Sequence, residues 1–430
     1  MRSLILWRAA LLTAVACGTG STPTAASVKV IGTWSGADQA SFMAVLKPFE
    51  QRTGIHVNYQ PSTDENTIVA SGVRAGNPPD IAQGLSPQVL TSLAKQGKVV
   101  ALNSALNSVV DMKALQANYS KSWIDLGEPL NDGKLYQVFS SVALKGAVWY
   151  DPKSFQAKGY SVPNSWDNLL LLQSTIKTSG TTPWCIALGS GAGSGGPGLD
   201  WLNEIVLSQS GPAVYDKWVA GTTKWSSPEI TSAFQAWGTI LGTNNGNVNG
   251  GKAVMLSTNV NDGGAPLFTN PPKCYMHNQA SSFTAFFTSA NSSLQPVADF
   301  NFFPLPDISG QFAGAHVVSG DSWSMFHDTP QARKLIEYLT TAEAQTIWVK
   351  RGGRISPNSQ TSLDAYPDLL SKEAAQIIVN ARTARYGTAD SMPPAMNAAA
   401  LKAVLDYVGN QGALTAILAS LDKVQTTAYK

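Results

Sequence analysis

The chain predicts an α/β fold, and three observations carry that prediction. Its opening segment alternates strand, helix and strand. The same alternation continues through the middle of the chain. Hydrophobic residues make up 43% of its 430 residues and charged residues only 13%, so a large core can form under a mostly neutral-polar surface. Strands alternating with helices in this way build a largely parallel sheet covered by helices. At about 150 residues per domain, the length suggests two to three domains.

The elements follow in order. Residues 27–33 read as a strand, with Val28, Val30 and Ile31 supplying β-branched character, and 34–38 as a polar turn. A helix over 39–53 puts Phe42, Leu46 and Phe49 on one face at i, i+4 and i+7; Gly54 ends it, and 55–60 form a second strand. A short helix is expected over 68–76. A strand follows over 80–82, with Gln83 and Gly84 opening the loop at its end. The next helix spans 87–97, with Val89, Leu90 and Leu93 turned inward.

Residues 138–150 read as one long strand and 151–157 as a turn. Ser165 caps a helix that runs to Thr178 through Leu169, Leu172 and Ile176. Then come a strand over 183–188, a glycine-rich loop over 189–198, and a helix over 200–208. A further helix over 226–241 has Pro228 in its first turn. Stretches at 253–257 and around Tyr275 look strand-like, and 301–304 is extended. Residues 330–350 form the clearest helix: Asp328 or Thr329 can cap it, and Leu335, Ile336, Leu339 and Ile347 make its apolar stripe. Residues 373–429 are helical by pattern, broken at 387–394 and 409–412. There is no internal repeat.

The N-terminus has its own signature. Arg2 and Arg8 flank a short apolar run, a second apolar run covers 9–16, and Cys17 follows directly. A basic start, a short apolar core and small residues describe a secretory signal over 1–16. The run is shorter than the roughly 20 residues a spanning helix needs. Ala14-Val15-Ala16-Cys17 resembles a bacterial lipobox, with Ala14 where Leu is usual. Cys17 is therefore expected to carry a lipid, with the Gly/Ser/Thr/Pro/Ala tract over 17–27 as its tether. The alternative is an ordinary signal with an incidental cysteine. Either way the protein is expected to be exported, to the outer face of the bacterial cytoplasmic membrane or the periplasm, touching membrane only through that anchor. The remaining Cys185 and Cys274 suggest one disulfide in an exported chain, with two separate buried thiols as the alternative.

Composition and motifs exclude several classes. Net charge is +2 and there are no Lys or Arg runs, so nothing points to nucleic acid. Residues 191–196 match G-x-G-x-x-G between a strand and a helix. Yet the loop lies deep in an exported chain, and Pro197 and Gly198 lengthen the turn. It better suits polar ligand oxygens above a helix N-terminus. No Walker loop or G-x-S-x-G elbow occurs, and the four His show no metal-ligand spacing. No cofactor and no metal are expected. A carboxylate pair for glycoside hydrolysis is decided by separation in space, which sequence leaves open. Asp38, Asp262, Asp321 and Asp390 each neighbour Gly, Ala or Ser, as carboxylates do that bind hydroxylated ligands from loop tips. Each alone is equally a turn-maker or cap. Trp34, Trp201, Trp225 and Trp323 sit among polar residues and glycines, a setting that suits a wet cleft.

Several segments gain meaning from their order. These are VIGTWSGAD over 30–38, PPDI over 78–81 before Ala82-Gln83-Gly84, and SVALKGAVWYD over 141–151. Further along come PNSWDNLL over 163–170, GAHVVSGDSWSMF over 314–326, and GGRISPN over 352–358. The set resembles the extracellular solute-binding proteins of ABC importers, in the sugar-binding family related to maltose-binding protein. The segments at 182–186, 200–201, 211–218, 274–277 and 389–393 resemble the subgroup that binds α-glucosides.

The resemblance implies a type II periplasmic-binding-protein-like fold, in which two lobes face each other across a ligand cleft and close about hinges. Residues 28–141 and 301–340 would form lobe 1, and 142–300 and 341–430 lobe 2, with crossings near Val142, Phe300 and Thr340. It implies a monomeric, non-enzymatic receptor that captures an oligosaccharide, in particular an α-glucoside, and delivers it to the transmembrane subunits of a permease. It also implies that Cys185 pairs with Cys274. By position in the matched motifs, the ligand residues are expected to be Trp34, Asp38, Gln83, Lys145, Trp201, Asp262, Gly264, Asp321, Trp323, Arg354 and Asp390. Trp34 and Trp201 would be stacking platforms, Asp321 and Asp390 acceptors, and Arg354 a donor. Lys145 is equally a solvated strand charge, and Asp38 equally a helix cap. The other readings are a secreted carbohydrate-active hydrolase using Asp321 or Asp390 as acid and base, and a receptor for a polyol, peptide or other non-sugar solute.

Overall fold

The structure, a computed structural model, describes residues 26–430. The expected signal, Cys17 and nearly all of the tether lie outside the described residues.

Alternation of side chains along the first strand sets the opening layers. β1 (Ser27–Gly32) turns Val28 and Val30 onto Phe42, Leu46 and Phe49 of the helix Gly36–Thr53, while Ile31 faces the opposite layer. That helix starts three residues earlier than expected, behind Ser35, and so takes Asp38 into its first turn, where the helix dipole favours a carboxylate. β2 (His56–Pro61) and β3 (Ile81–Gln83) lie parallel on either side of β1. The helix Pro87–Lys95 covers Ile31 and Ala82 with Leu90 and Leu93.

The expected long strand over 138–150 breaks at Lys145-Gly146. It becomes β4 (Val138–Leu144) in one sheet and β5 (Ala147–Tyr150) in another. β5 is flanked by β6 (His277–Gln279) and β7 (Asn301–Pro304), all antiparallel. β8 (Ala315–Met325) returns to the large sheet between β3 and β4, antiparallel to both. β9 (Thr383–Tyr386), a strand inside the stretch expected to be helical, adds parallel to β8. The large sheet therefore has the order β2-β1-β3-β8-β4, with β9 on β8, and the small one β6-β5-β7.

Other departures have local causes. Asp151 caps a helix, Pro152–Lys158, where a turn was expected. Residues 253–257 lie in the helix Gly251–Ser257, of which Met255 alone turns inward. Residues 183–188 form no regular strand; Trp184 makes isolated bridges to Val248 and Met276. The helix expected over 200–208 runs from Gly196 to Val219, interrupted at Gly211, whose φ of 79° precedes Pro212. The helix expected over 330–350 divides into Pro330–Leu339 and Ala342–Val349, because the Thr341 side chain caps a new start at Ala344.

Two lobes result. The first holds the large sheet. The second holds the small sheet and the helices Trp166–Thr178, Gly196–Val219, Pro228–Leu241, Pro394–Gly409 and Leu414–Ala428 around Trp184, Trp201, Trp218 and Trp237. The chain passes between sheets at Lys145-Gly146, again between β7 and β8, and a third time after β9. The third corrects the expected crossing at Thr340. Helix Ala342–Val349 packs on Gly36–Thr53, and Trp348, Leu370 and Ile378 join the first core, so the chain stays with lobe 1 past residue 380. Trp348, Leu370 and Ile378 are apolar groups that the large sheet's open face can bury, which the boundary in sequence did not reveal. Cys185 and Cys274 form a close pair, with Cα atoms 5.5 Å apart.

Candidate functional site

Two polar clusters lie where the chain passes between the lobes. The first is built at the C-terminal ends of β1 and β3, where ligands collect in open α/β sheets. Gln83 is fully buried. Its Oε1 accepts from the Thr33 backbone N–H at 2.9 Å and from Thr33 Oγ1 at 3.1 Å. Those two bonds fix the amide so that Nε2 donates to Asp321 Oδ1 at 3.1 Å. The other Asp321 oxygen accepts from Ser141 Oγ across the β4–β8 ladder and lies 3.5 Å from Arg354 Nε. Arg354 Nη2 donates to Asp38 Oδ2 at 2.9 Å. Gly352 and Gly353, with φ of 86° and 76°, turn the chain out of helix Ala342–Val349 and aim Arg354 back at the sheet. Its guanidinium carbon sits 5.1 Å from the Trp348 ring centroid and 5.9 Å from that of Trp34, within cation–π range. A polar cavity of about 230 Å³ opens beside Asp321 and Arg354, lined on its other side by Ser281 and Thr284.

The second cluster belongs to lobe 2. Lys145, at the first passage, lies 3.4 Å from Asp200 Oδ2, and both are largely shielded from water. The Asp200 carboxylate holds the Lys145 ammonium above its ordinary pKa against the effect of burial, and Asp390 adds to it. Burial pushes the Asp200 carboxyl up, Lys145 opposes this, and Asp390 reinforces it. Asn203, one turn along the same helix, accepts from Thr388 Oγ1 at 2.8 Å, while its buried Nδ2 has no partner.

Tyr386 stands between the clusters. Burial first, then the charges of Asp390 and Asp321, drive its hydroxyl well above the usual tyrosine range. Tyr215 donates to its backbone carbonyl at 2.7 Å. The lobes also touch directly, where Gln88 of helix Pro87–Lys95 donates to the Met392 carbonyl beside Asp390.

Of the expected residues, Asp38, Gln83, Asp321 and Arg354 come together in the first cluster, and Lys145 and Asp390 in the second. Three aromatic expectations are corrected. Trp34 is 4% exposed and wedged among Phe42, Trp323 and Trp348. Trp201 is 1% exposed against Trp184. Trp323 is 1% exposed, with its indole N–H on Ser140 Oγ at 2.8 Å. None offers a free face to a ring; their polar neighbours in sequence come from turn chemistry at strand and helix ends. Among the described residues every tryptophan, Trp225 included, is buried. Asp262 ends the turn Val260–Asp262 and Gly264 lies against His277 and Phe287; among the described residues neither has a hydrogen bond or ion pair to either cluster. Tyr150 is core. Lys145 is a paired charge and not a solvated one.

Sequence reasoning missed Ser141, Asp200 and Tyr386. Asp200 carried a signal: Asp200, Asn203 and Glu204 repeat at i, i+3 and i+4 along one helix. The glycine-rich loop before that helix serves close packing, since a Cβ on Gly195 would stand 2.4 Å from the Leu401 carbonyl oxygen.

A family model described as bacterial extracellular solute-binding protein matches residues 33–346. The chain is 33% identical over 383 residues to the osmoprotective compounds-binding protein GgtB of Synechocystis sp., covering 89% of this chain and 88% of that one. It is 32% identical over 394 residues to the alpha-glucosides-binding periplasmic protein AglE of Rhizobium meliloti, covering 90% and 84%. Among solved structures, the solute receptor AcbH, described as preferring β-D-galactopyranose, aligns with a TM-score of 0.80 at 19% identity, over 94% of this chain and 100% of that one. RafE in complex with raffinose aligns with a TM-score of 0.68 at 17% identity, over 94% and 100%. At these identities the structural likeness establishes the two-lobed fold with a cleft between lobes.

Proposed function

The chain belongs to the bacterial extracellular solute-binding protein family, and from that premise we propose that it captures a neutral α-glucoside between its lobes and hands it to a membrane permease. That it is a receptor of the ABC-importer type follows from the family; the solute and the residues that hold it are our reading. One observation carries it: each cluster sets two carboxylates around a single cation. Asp38 and Asp321 surround Arg354, and Asp200 and Asp390 surround Lys145. Alternating acceptors and donors match a run of sugar hydroxyls, and the surplus of carboxylates disfavours an anion. Closing the cleft strips water from these groups, so a missing hydroxyl leaves a buried partner unpaired.

Asp321 and Asp390 act as acceptors in this reading and not as acid and base. Both oxygens of Asp321 already face protein donors, and the named relatives are binding proteins. The same reading takes residues 1–16 as a signal, Cys17 as the lipid anchor and Cys185–Cys274 as a disulfide. A second reading, a receptor for a small osmoprotective polyol, draws support from the Synechocystis relative and from the burial of every described tryptophan.

Thermal and calorimetric titration with trehalose, maltose, sucrose, cellobiose, lactose and glycerol-sized polyols tests both. A ligand at about 100 times its Kd adds about 2.7 kcal/mol. Selective stabilisation by an α-linked disaccharide is the expected result. A response to polyols alone favours the second reading, and turnover of any sugar would sink the receptor reading.

A further inference from the structure

One face of the helix Gly196–Val219 touches all three passages between the lobes. Asp200 pairs with Lys145 at the first. Asn203 accepts from Thr388 at the third. Between them, Glu204 Oε1 accepts from the Val317 backbone N–H of β8 at 3.2 Å. The same carboxyl abuts Gly146 at the first passage, where an added Cβ would stand 2.6 Å from Oε1. Only glycine lets the carboxyl come so close. Two backbone bonds knit the first and second passages beside it: Lys145 N–H to the Val317 carbonyl at 2.9 Å, and Leu305 N–H to the Gly146 carbonyl at 2.9 Å.

Glu204 is 5% exposed, and no ion pair among the described residues includes it. A carboxyl buried without a cation is stable in its neutral form. Burial lifts its pKa to about 8; the Val317 and Gly146 N–H groups pull the other way, and Asp200 adds to the rise.

We propose that Glu204 is the positioning residue of the hinge: its neutral carboxyl holds the first two passages in register, and its ionisation loosens them and opens the cleft. The titratable groups on its own helix and on the elements around it do not compensate the new charge. On its own helix stand Asp200, an anion already paired with Lys145, and Tyr215, whose hydroxyl is driven well above its usual range. On β9, Arg385 is engaged by Asp216 at 2.6 Å. On β8, His316 is held neutral by burial, with its pKa lowered to about 4. On the segment after β9, Asp390 is a further carboxylate. An ionised Glu204 needs water, and separating the lobes supplies it. The closed form binds the proton more tightly, so raising pH toward about 8 shifts the population toward the open form, and the shift levels off above that.

This goes beyond the proposed ligand and is tested without one. Small-angle scattering of the ligand-free protein is recorded from about pH 5 to about pH 9.5, with circular dichroism confirming the fold. The expected result is a rise in radius of gyration that is complete by about pH 8, absent in Glu204→Gln, whose amide keeps the acceptor and never ionises. Wild-type scattering that stays flat overturns the proposal, and so does a Glu204→Gln variant that opens in step with wild type. If Glu204→Gln fails to fold, a carbon-13 titration of the Glu204 carboxyl replaces it: a midpoint shared with the opening supports the proposal, and a different one overturns it. A merely structural role lowers the melting temperature and leaves the pH profile unchanged.

Discussion

Arg354 and Asp38 are joined by a 2.9 Å hydrogen bond that ties the glycine turn after helix Ala342–Val349 to the first turn of helix Gly36–Thr53. The two residues lie more than 300 positions apart in sequence. The bond holds the Arg354 cation beside Asp321.

Removing that cation should weaken ligand binding. Arg354→Ala is expected to lower affinity at least tenfold, about 1.4 kcal/mol, because Asp321 loses its charged partner. Arg354→Lys restores little, since an ammonium cannot reach Asp38 and Asp321 together. Asp38→Asn costs less than about 1 kcal/mol, its carboxylate being half exposed. Isothermal titration with the ligand found above measures all three, and an Arg354→Ala affinity equal to wild type removes this cluster from the site.

Trp201 should act on stability and not on binding. Trp201→Ala is expected to cost about 3–5 kcal/mol, as truncation of a buried aromatic does. Trp201→Phe keeps the packing against Trp184 and leaves affinity within about twofold. Urea unfolding and calorimetry separate the two effects. A large affinity loss in a well-folded Trp201→Phe would return Trp201 to the ligand site.

The close pair Cys185–Cys274 spans 89 residues. Closing a loop of that size stabilises the folded state by about 4–5 kcal/mol in the chain-entropy account. Thiol labelling of the unfolded, unreduced mature domain should find neither sulfhydryl free, and Cys185→Ala/Cys274→Ala should lower the melting temperature. Two reactive thiols would show that the pair is not oxidised.

His277 should make the protein sensitive to acid. Its Nδ1 lies 2.9 Å from the Cys185 carbonyl, and burial lowers its pKa from 6.5 to about 4. The folded state therefore refuses a proton that the unfolded chain accepts. The stability this confers is fully present above about pH 6.5 and is lost as pH falls toward 4, by about 3 kcal/mol. Glu204 bends the profile in the opposite sense, its raised pKa favouring folding at low pH. The check is thus the difference between wild type and His277→Asn, in which the Glu204 contribution cancels. That difference should shrink between pH 7 and pH 4; a constant gap counts against the assignment.

Much of this fold is legible in the chain. The period of Phe42, Leu46 and Phe49 places the first helix on β1, and the caps at Ser165, Ser227 and Thr329 start their helices where the pattern puts them. These are local matters, decided within a turn or two by side-chain periodicity and by backbone N–H groups that need an acceptor. The ordered motifs also marked Asp38, Gln83, Asp321 and Arg354, which lie in four separate segments and meet in one cluster.

Burial and partnership were decided only in three dimensions. Trp34 and Trp201 sit in sequence beside residues typical of a cleft, yet Trp348 and Trp184, each from elsewhere in the chain, cover them. Helices Ala342–Val349 and Leu369–Val379 stay with the first lobe because the large sheet still has apolar surface to cover, which no local pattern records. Glu204 looks in sequence like an ordinary helix carboxylate. Only its burial in the tertiary structure, against Gly146 and β8, removes its water and raises its pKa, while the Val317 and Gly146 N–H groups oppose the rise. Sequence by itself determined which elements form; the desolvation and pairing that assign each side chain its role depend on neighbours distant in the chain, and the tertiary structure alone supplies them.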